Sequence, residues 1–180
     1  VAASAVINQN ALVCDALLAA AREVFAEKGT EASLEEVARR AGVGIGTLYR
    51  NFPARQDLFD AVDVGEVERL CDVADQVGGL SPWDALETFL RRFVEYAATK
   101  RAIKEALNAE SSMFRTCRAD MYAAGGPLFT RAQDTGAARA DVTFDDVLRM
   151  VSGITAGAYV DDAQRERVLA MALDGVRKVA

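Results

Sequence analysis

A chain of 180 residues, 51% of them hydrophobic and with a formal net charge of -6, has the composition of a soluble globular protein and room for one domain plus a smaller one. No stretch is long and apolar enough to span a bilayer, and the opening VAASAVINQN lacks the charged segment of a secretion signal, so a cytoplasmic location without a membrane partner is expected. The absence of histidine removes the commonest general base and metal ligand near neutral pH, no GxxxxGK, GxGxxG, CxxC or GxSxG motif occurs, and Cys14, Cys71 and Cys117 lack metal-ligand spacing, which together argue against an enzyme, a cofactor or a metal.

The first helix takes in INQNALVCDALL, from Ile7 to Leu18, and continues through AAREVFAEKG, from Ala20 to Gly29. Ser33 then precedes Leu34, Val37, Ala38 and Ala41, apolar residues spaced for one helical face, and Glu36, three residues on, predicts a capping box. Gly42 reads as a left-handed helix stop, Val43 as a plug in the angle between helices, and Gly44 as a permissive start for the next. In that third helix Leu48 and Phe52 point inward, which leaves Ile45, Gly46, Thr47, Tyr49 and Arg50 on the outward side, and Pro53 ends it.

Two short helices around a tight turn, the second presenting small residues, a hydroxyl, an aromatic and a cation, form the pattern of a DNA-reading helix-turn-helix. Between Val37 and Gln56 the charged residues are Arg39, Arg40, Arg50 and Arg55, a local balance of plus four. Arg39 and Arg40 fit either a DNA-facing role or the solvated face of their helix.

Residues from about Ala16 to Val62 resemble the DNA-binding domain of the TetR family of one-component transcriptional regulators, on AAREVFAEKG, on LEEVARRAGV at Leu34 to Val43, and on GTLYRNFPARQDLF at Gly46 to Phe59. The resemblance implies DNA contacts from Thr47, Tyr49, Arg50 and Asn51 and a phosphate grip by Arg55, just after the proline. With Arg39, Gly44, Ile45 and Gly46 these make up the candidate DNA-binding set. Many relatives carry a histidine where Asn51 stands, and several cations on the first helix, where Ile7 to Leu18 has none and one acid, Asp15. Residues 1 to 60 hold six cations against eight acids, a net of minus two, so long-range attraction to DNA should be modest. Each missing phosphate contact lowers both affinity and its salt dependence.

A fourth helix is expected from Arg55 or Gln56 to about Gln76, stopped by Gly78 and Gly79. A fifth starts at Ser81, Pro82 and Asp84 and turns Leu86, Phe89, Leu90, Phe93 and Ala97 inward. A short sixth near Ala102 to Ala109 precedes a seventh from about Ser112 to Thr135, which Gly125, Gly126 and Pro127 should kink or break. The last two run near Phe144 to Val160, capped by Thr143 with Asp146, and near Ala163 to Val179, capped by Asp161 or Asp162. The expected fold is all-α with about nine helices: a three-helix helix-turn-helix domain over residues 1–54 and a helical bundle for ligand binding and dimerisation over 55–180.

Val147, Val151, Ile154 and Ala158 form one apolar stripe, and Val168, Ala172, Gly175 and Val179 another. One recognition helix reads too few base pairs alone, so both stripes are assigned to a two-fold homodimer interface; closing the core of a monomer is their other use. The segments Pro82 to Arg101 and Gly136 to Gly153 resemble, more loosely, a TetR subgroup, and membership implies a small-molecule pocket in the second domain. Trp83, Phe89, Phe93, Tyr96, Met113, Phe114, Tyr122, Phe129 and Met150 are the candidate lining, which suits an apolar or aromatic inducer. Such a ligand would select one angle of the fourth helix and so reset the spacing of the two recognition helices. The functional expectation is a sequence-specific transcriptional regulator, a repressor released from a pseudo-palindromic operator in double-stranded DNA by a small-molecule inducer. The alternative is a ligand-binding or interaction module of the same fold with weak or lost DNA binding.

Overall fold

The structure, a computed structural model, describes residues 2–103 and 112–178. Among the described residues are eight α-helices: α1 Ala2–Lys28, α2 Leu34–Arg40, α3 Ile45–Asn51, α4 Arg55–Gln76, α5 Pro82–Ile103, α6 Ser112–Asp134, α7 Phe144–Ala156 and α8 Asp162–Val176. Short 3-10 turns at Gly29–Glu31 and Val77–Gly79 follow α1 and α4. The short helix expected near Ala102 to Ala109 falls largely on residues 104–111, outside the described residues, while Ala102 and Ile103 complete α5. Eight of the about nine expected helices thus fall among the described residues.

The chain forms two compact units, Val1–Gly65 with Thr99–Met113, and Glu66–Ala98 with Phe114–Ala180. In the first, Leu17, Ala20, Ala21, Val24 and Phe25 of α1 recur at intervals of three and four residues and are buried. They share one core with Val37 and Ala38 of α2, Leu48 of α3, Leu58, Phe59 and Val62 of α4, and Ile103. The Phe25 and Phe59 rings sit 4.5 Å apart. Asp63 on α4 is buried and receives both its hydrogen bonds of 3.1 Å from the Lys100 ammonium, a pairing that offsets the cost of taking the carboxylate out of water.

The start of α2 corrects one expectation. Ser33 Oγ does accept from the Glu36 backbone N–H at 3.3 Å, but its hydroxyl donates to Glu35 and the Glu36 carboxylate turns to Arg39 and Arg40 instead of closing the box. Only half of the capping box forms because two guanidiniums outcompete one backbone N–H for the same carboxylate. Gly42 adopts φ +72°, the left-handed conformation that ends a helix, and Val43 packs half-buried against the core beside it.

In the second unit Ser81 Oγ caps α5 through the Asp84 N–H, and Thr143 with Asp146 completes a full capping box at α7. Asp161 caps α8 by accepting from Gln164 N–H at 2.7 Å. The loop after α6 turns at Gly136, φ +72°, and pairs with the segment after α8 through one antiparallel bridge, Ala138 to Arg177. Glu66 is buried and held by Arg69 at 2.5 Å and Arg92 at 2.8 Å.

Of the kink or break expected at Gly125, Gly126 and Pro127, the break does not occur, since α6 runs through Pro127 to Asp134. The glycine has another cause. A Cβ on Gly125 would lie 2.5 Å from the Phe89 and Phe144 rings, so the position is bare because two aromatics press against the helix backbone there.

Gly125→Ala is expected to destabilise the protein by about 2 kcal/mol through overpacking against rings that have nowhere to go. At Gly126 a Cβ meets nothing within 4 Å, so Gly126→Ala should be neutral or stabilising by up to about 1 kcal/mol from helix propensity. Chemical denaturation of the two variants checks the contrast.

Candidate nucleic-acid interface

The seven residues of α3 are held from below. Leu48 is fully buried and Phe52, which closes the helix by donating its N–H to Leu48 O, is buried beside it. What remains faces solvent: Ile45, Gly46, Tyr49, Arg50 and Asn51 are exposed, Thr47 is half-buried, and Gly44 caps the start with an extended backbone. A Cβ at Gly44 or Gly46 would meet nothing within 4 Å. The fold itself therefore does not require glycine at either place, and their bareness leaves room for an approaching surface.

Two of the polar groups on this face are locally engaged. Arg50 Nη2 donates to Thr47 Oγ1 at 2.8 Å, which steers the guanidinium along the helix surface, and Asn51 Nδ2 donates to the Thr47 backbone oxygen at 2.8 Å. The Asn51 amide thus serves a carbonyl of its own helix.

The local charge of plus four is distributed very unevenly. Arg39 is well exposed but bound at two points to Glu36, with Nη2 at 2.7 Å from Oε1 and Nε at 3.0 Å from Oε2. Arg40 bridges α1 and α2, with Nη1 at 2.6 Å from Glu27 Oε1 and Nη2 at 3.2 Å from Glu36 Oε1. Glu36 is held down at about 2 by the Arg39 hydrogen bond first and by Arg40 after it. Because its folded value lies below the usual carboxylate value of 4.5, the contribution of these contacts is complete above that pH and is lost as pH falls toward 2. Both ion pairs are intact at neutral pH.

Arg55 is turned inward. Its Nη2 donates to the backbone oxygens of Thr30 and Ala32, both at 2.5 Å, and the guanidinium lies 5.2 Å from the centre of the Phe59 ring. It fastens the turn after α1 to the first turn of α4. Among the described residues no carboxylate pairs with Arg50, which leaves it as the cation on α3 available to an outside anion.

The aromatic candidates of the second unit gather around Phe144, which the sequence pattern marks only as a helix start. Phe144 lies 5.7 Å from Phe129, 5.7 Å from Tyr122 and 6.2 Å from Phe89. Phe93 and Tyr96 pair at 5.6 Å, and Trp83 donates its indole N–H to Glu87 at 2.9 Å beneath the Arg177 guanidinium. Trp83, Phe89, Phe93, Tyr96 and Phe129 are buried, Tyr122 and Met150 half-buried, and Met113 exposed. The side chain of Phe114, and Val179 as a whole, lie outside the described residues. The Tyr122 hydroxyl donates to Asp145, which also receives Arg149, and burial together with this bond pushes the phenol pKa up.

The two interface stripes divide. Val147 and Val151 are buried inside the protomer and belong to its own core; Ile154, Val168 and Ala172 are half-buried; Ala158 and Gly175 are exposed. The open side of α7 carries Gly153 and Ala156, and that of α8 carries Met171 and Gly175. Among the described residues no helix is long and apolar enough to cross a membrane. The Cys14 and Cys71 thiols are both pushed up, by burial first and by neighbouring carboxylates second, so neither is poised as a thiolate.

Comparison with known proteins agrees with this geometry. Residues 17–62 match the family model of bacterial regulatory proteins of the tetR family, and residues 81–178 match that of the transcriptional regulator SbtR-like C-terminal domain. A TetR transcriptional regulator from Streptomyces coelicolor is 39% identical, with a TM-score of 0.79 over 92% of this chain and 99% of that one. A TetR transcription regulatory protein from Mycobacterium vanbaalenii is 31% identical, with a TM-score of 0.76 over 96% and 99%. The ketosteroid regulator KstR2 of Mycobacterium tuberculosis shares the fold at 19% identity, with a TM-score of 0.61 over 91% of this chain and 94% of that one. A helix-turn-helix held on a buried core, followed by a helical second unit and matched by family models over both parts, places the chain in the TetR family of bacterial transcriptional regulators.

Proposed function

We propose that this regulator is a homodimeric repressor that places α3 of each subunit in the major groove of a pseudo-palindromic operator and is released by a small apolar or aromatic molecule. The observation that carries the DNA half is the exposed face of α3, where Gly46, Tyr49 and Arg50 stand clear while Leu48 and Phe52 lock the helix from behind. Thr47, Tyr49 and Arg50 supply hydroxyls and a cation for phosphates and base edges. Gly44 and Gly46 allow close approach, and Arg39 meets a phosphate with its charge already partly offset by Glu36. Asn51 and Arg55 act at one remove, the first by finishing α3 and the second by fixing the turn on which the domain is built. Functionally the chain divides into the reading domain, 1–54, and the regulatory domain, 55–180.

The inducer reading is supported by the aromatic residues around Phe144 and by Phe93 and Tyr96, whose rings suit an apolar ligand that would have to displace or spread them. The dimer reading is supported by the small residues left open on α7 and α8, Gly153, Ala156 and Gly175, with Met171 exposed among them. Ile154, Ala158, Val168 and Ala172 flank this surface.

Two variants separate contact from support. Arg50→Ala should lower affinity for a selected operator at least ten-fold in an anisotropy titration while leaving the melting temperature within a degree or so. Arg55→Ala should lower both, because two backbone oxygens lose a charged donor, at a cost of about 2 kcal/mol in denaturation. If wild type and Arg50→Ala bind all duplexes equally poorly, the chain is instead a ligand-binding module of this fold. Sedimentation at micromolar concentration should return a dimer; a monomer would remove the assignment of α7 and α8.

A further inference from the structure

On the face of α3 that the proposed reading turns toward DNA, the side chain hardest to explain is apolar. Ile45 is the first residue of the helix and is 37% exposed, and Tyr49, one turn later on the same side, is 46% exposed. The fold gains little from either. The core beneath α3 is already filled by Leu48 and Phe52, and the residues flanking Ile45, Gly44 and Gly46, carry no side chain that would cover it. An isoleucine and the flank of a tyrosine ring therefore form a continuous apolar strip on the reading helix. The polar groups beside the strip are already aligned, Arg50 on Thr47 and Asn51 on the helix backbone.

Isoleucine has no donor or acceptor, so it cannot satisfy the N7, O6, N4 or N6 groups that guanine, cytosine and adenine show in the major groove. Pressing it against those edges would strip them of water with nothing in return. One major-groove feature matches it: the C5-methyl of thymine. We propose that Ile45, backed by the Tyr49 ring, selects a thymine methyl at one position of each operator half-site, and that this apolar contact is a main determinant of which sequence the protein prefers. The inference rests on α3 being the reading helix. It gains weight from the scarcity of free cations nearby, because Arg39, Arg40 and Arg55 all have partners within the protein, so phosphate contacts supply less of the binding.

The test uses the full chain and a random duplex library. An enriched operator is then remade with each thymine in turn replaced by deoxyuridine in both half-sites, which deletes a methyl and leaves every hydrogen-bonding group in place. Wild type should lose roughly four-fold in affinity per half-site at one position, the value of one buried methyl group, and little elsewhere. Ile45→Ala should bind the thymine and uridine operators equally, with an unchanged melting curve, while Arg50→Ala should keep the full uridine penalty on top of its own loss. Enrichment of an operator whose thymines are all indifferent to methyl deletion, or an equal penalty in Ile45→Ala, overturns the methyl contact alone. Failure to enrich any duplex overturns the reading of α3 and the methyl contact with it.

Discussion

A helix of seven residues does not hold its shape in water, so everything α3 can do depends on the burial of Leu48 and Phe52. Those two side chains are set in a core built from α1, α2 and α4, with Leu17, Phe25, Val37 and Phe59 around them. Fixing the inward face fixes the outward one, because residues on a helix keep their angular order. Gly42 makes the turn before α3 tight enough for Val43 to seat against the same core. The surface proposed to face DNA is thus set first by the hydrophobic core, with the Asn51 and Arg55 contacts to backbone oxygens securing its edges.

Electrostatics then decides how strongly that surface is used. A plus-four stretch in the sequence turns out to contain two arginines engaged with Glu27 and Glu36 and a third facing backbone oxygens. These pairs lie at the surface, where each adds little to stability, but the Glu36 carboxylate occupies the Nε and Nη2 donors of Arg39 and offsets part of the charge a phosphate would meet there. Arg40 does more for the architecture than for the ligand, since it links α1 to α2 across the face that would otherwise rely on apolar packing alone. The regulator is left with a well-shaped α3 face and few cations near it that lack partners within the protein.

Most of the first unit was legible in the sequence because its signals are local. The spacing of Leu34, Val37 and Ala38, the stop at Gly42 and the inward pair Leu48 and Phe52 each depend on neighbours within a turn or two. The offset of Glu36 to Ser33 marks it as a capping residue, yet its offsets to Arg39 and Arg40 are also helical ones, and charge wins. The Arg40 contact to Glu27 and the Arg55 contact to Thr30 join positions far apart in the chain, so no spacing could announce them. Gly125 looked like a helix breaker because glycine and proline ordinarily are; the rings of Phe89 and Phe144 that explain it come from two other helices. The same holds for Val147 and Val151, whose stripe marks an apolar face but not whether that face closes inside the protomer.

With α3 reading DNA as proposed, the Glu36 carboxylate competes with the phosphates for Arg39, and this competition limits the salt dependence of binding. The measurement is the slope of log affinity against log salt on a selected operator, for the wild type and for Glu36→Gln. With few free cations per subunit, the wild-type dimer should show a slope no steeper than about -4, and freeing one arginine per subunit should steepen it by about 2 while raising affinity at low salt. Equal slopes for the two proteins, or a wild-type slope near about -8, would contradict it.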